Sequence, residues 1–220
     1  MHSKSTNIET HLVFICIPSR DLWKAEFGIN LAQMVGRCFV DHGAPSYGFR
    51  VFAYPTMASG STLSTNRNVL VERALQNEDT SHVLFVDDDQ MFPADTIHKL
   101  IQRDKDIIGA NIVRKESNPR TNSRKLGGKD ECCWTKETST GIEEVEYVGT
   151  GLMLIKRAVF EKMPKPWFFY DAHKAVGEDV CFCWKARELG YKIYVDHDLS
   201  KSVKHVGHFY WGHEHTGGYK

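Results

Sequence analysis

Residues 82–93 read HVLFVDDDQMFP, a run of strand-forming apolar residues that stops on three consecutive aspartates, Asp87, Asp88 and Asp89. Like charges side by side repel, and a strand end gains nothing from three of them. Aspartate is common in turns and caps following helices, but one residue would satisfy that need. The repulsion is relieved most simply by a divalent cation. Magnesium or manganese typically takes one or two carboxylates together with phosphate oxygens. Ligands of an open α/β sheet gather beyond the carboxyl ends of its strands, and the triplet is expected at such an end.

Outward from this stretch, strand-like and helical runs alternate. HLVFICI (11–17) reads as a first strand, followed by an amphipathic stretch from Leu22 to Val40 with Asp21 as N-cap and Gly43 beyond its end. FRVFAY (49–54) precedes a helix from about Thr65 to Leu75, then the strand that ends on the aspartates. Pro93 is placed to open a helix, PADTIHKLIQR, because proline suits the first turn. DIIGANIV (106–113) is expected as a fourth strand. This alternation predicts a mostly parallel sheet covered by helices on both faces.

The second half changes character. Arg114 to Lys129 holds six basic residues and one acid, and Asp130 to Glu146 holds six acids and one base. Apolar periodicity nearly vanishes there, which predicts a long excursion, a hairpin or mobile loop of the kind that serves as a lid. VEYVGTGLMLI (145–155) gives two strand-like pieces around Gly149-Thr150-Gly151. RAVFEKM (157–163) reads as a short helix stopped by Pro164, EDVCFCWKAREL (178–189) as a buried helix closed by Gly190, and YKIYVD (191–196) as a last strand. A single α/β domain over 1–220 is the expectation.

The 220 residues carry 28 basic and 28 acidic side chains, so no global charge draws the chain to nucleic acid or membrane. No apolar run approaches the roughly 20 residues of a spanning helix. The N-terminal stretch ending at Pro18 reads as a strand and not as a signal peptide. Cys16 and Cys38 lie in apolar patterns, as small hydrophobes, and free thiols of this kind suit a reduced, cytoplasmic chain. Cys132-Cys133 and Cys181 with Cys183 lack the two-to-four residue gap of zinc-knuckle ligands, so no zinc is expected from them.

LFVDDDQMFP resembles the Asp-x-Asp signature of GT-A glycosyltransferases, especially family 2-like enzymes. Its neighbours are similar to that family in the same order. VFICIPSRD (13–21) resembles the first strand and nucleotide loop, and STNRNVLVERAL (64–75) the Arg-Asn helix before the acidic signature. YVGTGLMLIKRAVFEKM (147–163) is similar to the glycine-rich turn on the donor-sugar side. GEDVCFCWKARELGYKIYVD (177–196) resembles the helix bearing the catalytic base of inverting members. SVKHVGH (202–208) is similar to a C-terminal histidine loop that completes the metal site in some members. The resemblance spans about residues 11–208, with a nucleotide-sugar half over about 11–113 and an acceptor and catalytic half over about 114–220.

It implies a GT-A, Rossmann-like fold and a nucleotide-diphosphate sugar donor, uridine-linked, with manganese or magnesium as cofactor. Asp87, Asp89 and His205 are the implied metal ligands. Pro18, Ser19, Arg20, Arg67, Asp87, Asp88 and Gly151 are the implied donor contacts. Asp179 is the implied base for an acceptor hydroxyl, with Glu178 beside it, although acids also suit the first turn of a helix. His213 and His215, near the chain end, carry no assigned role.

For the acceptor, Trp167 (in PWFFY, 166–170) and Trp211 offer aromatic faces, although core packing is the ordinary fate of such rings. Arg120, Arg124 and Lys125 offer phosphate contacts, unless the acidic stretch that follows neutralises them. An acceptor that uses both is DNA carrying hydroxymethylated pyrimidines; otherwise it is a glycan, a protein or a small molecule. Two rivals remain. A nucleotidyltransferase normally shows a glycine-rich basic loop after its first strand, where PSRDLWK (18–24) has no glycine. A non-catalytic nucleotide-sugar-binding module has little need of both GED and KHVGH.

Overall fold

A computed structural model describes residues 8–20, 22–43, 45–60, 62–128, 131–207 and 210–216. The first strand, β1 (Thr10–Ser19), is a nearly continuous apolar run because helices cover both faces of the sheet around it. Val13, Ile15 and Ile17 pack on one face, Phe14 and Cys16 on the other. This is the period-two alternation of a strand. β1 lies between two parallel neighbours, β2 (Arg50–Ser59) and β3 (Thr80–Val86).

Helix α1 (Ala25–Val40) joins β1 to β2 and presents Phe27, Leu31, Met34 and Cys38 to the sheet. It starts at Ala25, with Lys24 as N-cap, so the expected start at Leu22 was early; Asp21 lies outside the described residues. Helix α2 (Leu63–Leu75) begins where the Thr62 hydroxyl accepts from the Thr65 amide. Pro93 does not open a helix: it accepts from the Thr96 amide in a turn, and α3 runs Thr96–Gln102. Between them the short β4 (Gln90–Met91) leaves the main sheet.

The remaining elements are β5 (Ile107–Gly109), β6 (Ser123–Lys125), β7 (Ile142–Val148), β8 (Leu152–Lys156), α4 (Arg157–Lys162), α5 (Glu178–Glu188), β9 (Ile193–Asp196), α6 (His197–Ser200), β10 (Lys204–Val206) and β11 (Tyr210–Trp211). The eight-stranded sheet has the order β2-β1-β3-β8-β5-β9-β7-β6. β8 and β7 run against their neighbours. A second, three-stranded sheet is β11-β10-β4, so YKIYVD is not the last strand. The chain has the mixed, mostly parallel α/β architecture of the GT-A fold.

Two apolar layers sandwich the sheet. α1, α3 and α6 cover one face, and α2, α4 and α5 cover the other, where Phe168 stacks on Phe182 and meets Phe85 edge to face. Truncating a buried ring such as Phe182 to alanine removes about 3–5 kcal/mol. The excursion at 114–141 is not a loose lid. Isolated bridges pair Val113 with Thr121 and Arg124 with Cys132, and Thr121, Ser123, Cys133 and Thr135 are fully buried. Its apolar period was missing because it is held by hydrogen bonds between small polar side chains. Among the described residues, no helix is long and apolar enough to cross a membrane.

Candidate active site

The parallel strands β1 and β3 end side by side, and the chain turns sharply through 87–89 into β4. The turn is held from both sides. The Asp87 amide donates to the Gly151 carbonyl (3.0 Å), and the Val206 amide donates to the Asp89 carbonyl (2.7 Å). A Cβ at position 151 would crowd two side-chain ends, Ile112 Cδ1 at 2.9 Å and Asp87 Oδ2 at 3.2 Å, which would have to shift. The glycine-rich turn thus lies directly beneath Asp87.

The three carboxylates point to three different partners. Asp87 Oδ1 accepts from Arg67 Nη2 at 3.1 Å. Asp88 Oδ2 accepts from the Ser19 hydroxyl at 2.6 Å. Asp89 Oδ2 lies 3.3 Å from His205 Nε2 and is bonded to Lys115 Nζ. Burial raises Asp87 above the ordinary carboxylate range despite Arg67 beside it. Burial also works against ionised Asp89, but the bonds from His205 and Lys115 outweigh it and bring its pKa down to about 2.

Arg67 is not a solvated helix residue. It is 2% exposed and forms ion pairs with both Asp87 and Glu178, tying the acidic turn to the first turn of α5. Its Nε is buried without a hydrogen-bond partner. Asn68, on the same helix, clamps the backbone of Trp167 and Phe168 through its amide. Asn66 Nδ2 reaches the Ser19 carbonyl at 3.5 Å. Pro18 and Ser19 are buried at the end of β1 and Arg20 is exposed beside them. The residues implied as donor contacts therefore gather at the carboxyl ends of β1 and β3.

A cleft of about 880 Å³ opens next to this edge, with Asp179 in its wall and Tyr147, Trp184, Arg114, Arg124 and Lys125 around it. Burial and the neighbouring Glu178 charge raise the Asp179 pKa, against the pull of Arg67. One carboxylate oxygen accepts from the Val180 amide at 2.8 Å, which fixes its orientation on the helix. Glu178 faces Arg67, so the two adjacent acids are separated in role by their partners.

Several expected acceptor residues are placed otherwise. Trp167 is 3% exposed, and its indole N–H donates to the Phe160 and Met163 carbonyls, so it is a core residue and offers no free face. Arg124 does line the cleft, but it is mostly buried and donates to the Thr121 and Ser123 carbonyls. Arg120 is paired with Glu116, and Lys125 with Glu131. The Trp211 side chain and His208 lie outside what is described, although β11 pairs Trp211 with His205. His213 is buried, and His215 lies beside Glu214. Lys115 and Trp184 were not singled out from the sequence. Lys115 sat within the basic run, and Trp184 reads as core because its helix shows no clear apolar face.

Asp89 and His205 together would offer a carboxylate and an imidazole to a divalent cation. The space between Asp89 and His205 already attracts a positive group, the Lys115 ammonium. Asp87, however, is turned toward Arg67 and not toward His205.

Residues 59–165 match the Anp1 family model. Among solved structures, A197 from STIV aligns with a TM-score of 0.60 at 19% identity, over 90% of this chain and 86% of that one. GalNAc-T7 with UDP, GalNAc and Mn2+ aligns with a TM-score of 0.55 at 13% identity, over 96% of this chain but 45% of that one. No curated protein matches the sequence. The chain has the GT-A fold of these neighbours, and residues 59–165 are similar to the Anp1 family.

Proposed function

We propose that the protein is a metal-dependent glycosyltransferase that moves a sugar from a uridine-diphosphate sugar to an acceptor hydroxyl with inversion. The observation that carries this reading is that Asp87, Asp89, His205 and Arg67 gather at the carboxyl end of β3, and Arg67 links them to Glu178, next to Asp179 of the cleft. GalNAc-T7, which shares the fold, is a structure with UDP and Mn2+. Manganese or magnesium would be held by Asp89 and His205, with Asp87 alongside, and would supply positive charge to a departing diphosphate.

The residues of the chain account for the rest. Ser19, Asp88 and Arg20 form the wall against which the nucleoside lies. Arg67 fixes Asp87 and positions the start of α5. Asp179 takes the proton from the acceptor hydroxyl as its oxygen attacks the anomeric carbon, and the bond from that carbon to the diphosphate oxygen breaks with its electron pair leaving on phosphate. A carboxylate whose pKa is raised is a better base near neutral pH.

The cleft is the acceptor site in this reading, with Trp184 and Tyr147 in place of Trp167 as stacking faces. Arg114 and Lys125 at its rim, paired with Glu116 and Glu131 in the free chain, would exchange those partners for an anionic acceptor, and hydroxymethylated DNA is the first to test. Radiolabelled UDP-sugars incubated with duplex DNA containing 5-hydroxymethyl pyrimidines, and with glycan and protein acceptors in parallel, test the reaction. Label in DNA that is lost in Asp179→Asn supports the whole reading. Label only in other acceptors moves the acceptor class, and no transfer to any acceptor contradicts the enzyme.

A further inference from the structure

Away from the acidic turn, three groups that offer electron pairs meet behind the wall of the cleft. Cys133 Sγ, a Glu143 carboxylate oxygen and a His197 ring nitrogen all lie within 4.8 Å of one another. They come from different elements: Cys133 from the 131–135 segment, Glu143 from β7 and His197 from the start of α6. Among the described residues, no other trio of such donors is drawn this close. We propose that these three side chains bind a zinc ion that fastens the 131–135 segment to β7 and α6.

The support around the trio is that of a built site. Cys133 is fully buried, and its backbone is fixed at both ends. Its amide donates to the Ser123 carbonyl (3.2 Å), and its carbonyl accepts from Asn111 Nδ2 and the Thr121 hydroxyl, each at 2.7 Å. His197 Nδ1 lies 2.9 Å from the Thr135 hydroxyl, and Nε2 lies 3.0 Å from Glu143. Thr135 Oγ1 also accepts from Asn111 Nδ2 (3.1 Å), while Asn111 Oδ1 accepts from the Ser123 hydroxyl (2.6 Å). His197 is held at both ring nitrogens, with Nε2 turned to the Glu143 carboxylate and so toward the thiol beside it. Three groups able to give electron pairs converge, and a cation would take the place of the protons that join them. A second hydrogen-bonded layer that orients a histidine is the usual surround of a protein metal ligand.

The chemistry of the set selects the metal. A thiolate with an imidazole and a carboxylate suits zinc, whereas magnesium and manganese prefer oxygen. Glu143 is exposed enough, at 44% of its side chain, to give the ion a way in and to leave a fourth position for water. Without a cation, burial and the Glu143 charge push the Cys133 thiol up to about 12, and binding would release its proton. Cys133 has non-cysteine partners, which is why cysteine spacing gave no sign of the site. The consequence is local. Cys132 bridges to Arg124 on β6, and Arg124 and Lys125 line the cleft, so the ion would hold the cleft wall in place.

The purified full-length chain, stripped with chelator and titrated with cobalt, tests this. Bound cobalt next to a thiolate gives a sulfur-to-metal charge-transfer absorption that oxygen ligands do not. The expected result is one cobalt with that absorption, displaced by zinc and retained in Asp89→Asn. It is lost in Cys133→Ser, and Glu143→Gln weakens cobalt binding by at least about tenfold. Glu143→Gln alters a partly exposed side chain and keeps the test decisive if Cys133→Ser fails to fold. No thiolate absorption, an absorption that survives Cys133→Ser, or undiminished affinity in Glu143→Gln overturns the proposal.

Discussion

Asp89 and His205 are 116 residues apart in sequence, and their Oδ2 and Nε2 atoms are 3.3 Å apart in space. The pairing is built by the backbone: His205 on β10 pairs with Gln90, the residue after Asp89. Asp89→Asn is expected to abolish metal-dependent binding of a UDP-sugar while leaving the fold intact, and His205→Ala to weaken it less. Calorimetry with manganese checks both. Full donor affinity in Asp89→Asn would place the metal elsewhere.

The same carboxylate predicts an acid sensitivity. Asp89 has its pKa near 2, below the ordinary value of about 3.9. Its interactions stabilise the metal-free protein above the ordinary value and are lost as pH falls from about 4 toward about 2. Urea unfolding across that window is expected to show a steeper loss in wild type than in Asp89→Asn.

Lys115 competes for Asp89 with any cation. Lys115→Ala is therefore expected to raise manganese affinity several-fold at low ionic strength, with less effect at high salt. Lower affinity in the variant would show that Lys115 supports the metal site and does not contest it.

Asp179→Asn is expected to cost about a hundredfold or more in transfer rate with donor affinity nearly intact. Because burial raises the Asp179 pKa and the base must be ionised, the acid limb of the rate profile should lie above the ordinary carboxylate range and vanish in the variant. A normal rate in Asp179→Asn at neutral pH would reduce this carboxylate to a helix-end charge.

Arg67 is buried between Asp87 and Glu178, so Arg67→Met strands two carboxylates. Breaking a buried pair from one side costs about 3–5 kcal/mol, and chemical denaturation is expected to show a loss of that order. Adding Glu178→Gln should restore part of it. An unchanged midpoint in Arg67→Met would mean that the two acids find other partners.

Much of this was legible in the residues. The alternation of elements and the apolar faces of β1 and α1 followed from periodicity, and the acidic turn at the end of β3 followed from like-charge repulsion. The 114–141 excursion was not legible. Its order comes from Thr121, Ser123, Cys133 and Thr135 bonding to one another and to Asn111, and small polar residues leave no periodic trace. Trp167 was misjudged as a stacking face because a ring beside phenylalanines looks the same in sequence whether it faces a cleft or a core. Arg67 showed the reverse: a charged residue on a helix proved to be a buried link, and only its partners, 20 and 111 residues on, reveal it.

The central claim is a metal-assisted UDP-sugar site at the Asp87–Asp89 turn, and calorimetry with a panel of UDP-sugars tests it most directly. The account predicts saturable binding of at least one UDP-sugar with manganese, weakened at least about tenfold by chelator and by Asp89→Asn. Binding that is equal with manganese and with chelator, or no binding of any UDP-sugar, would contradict it.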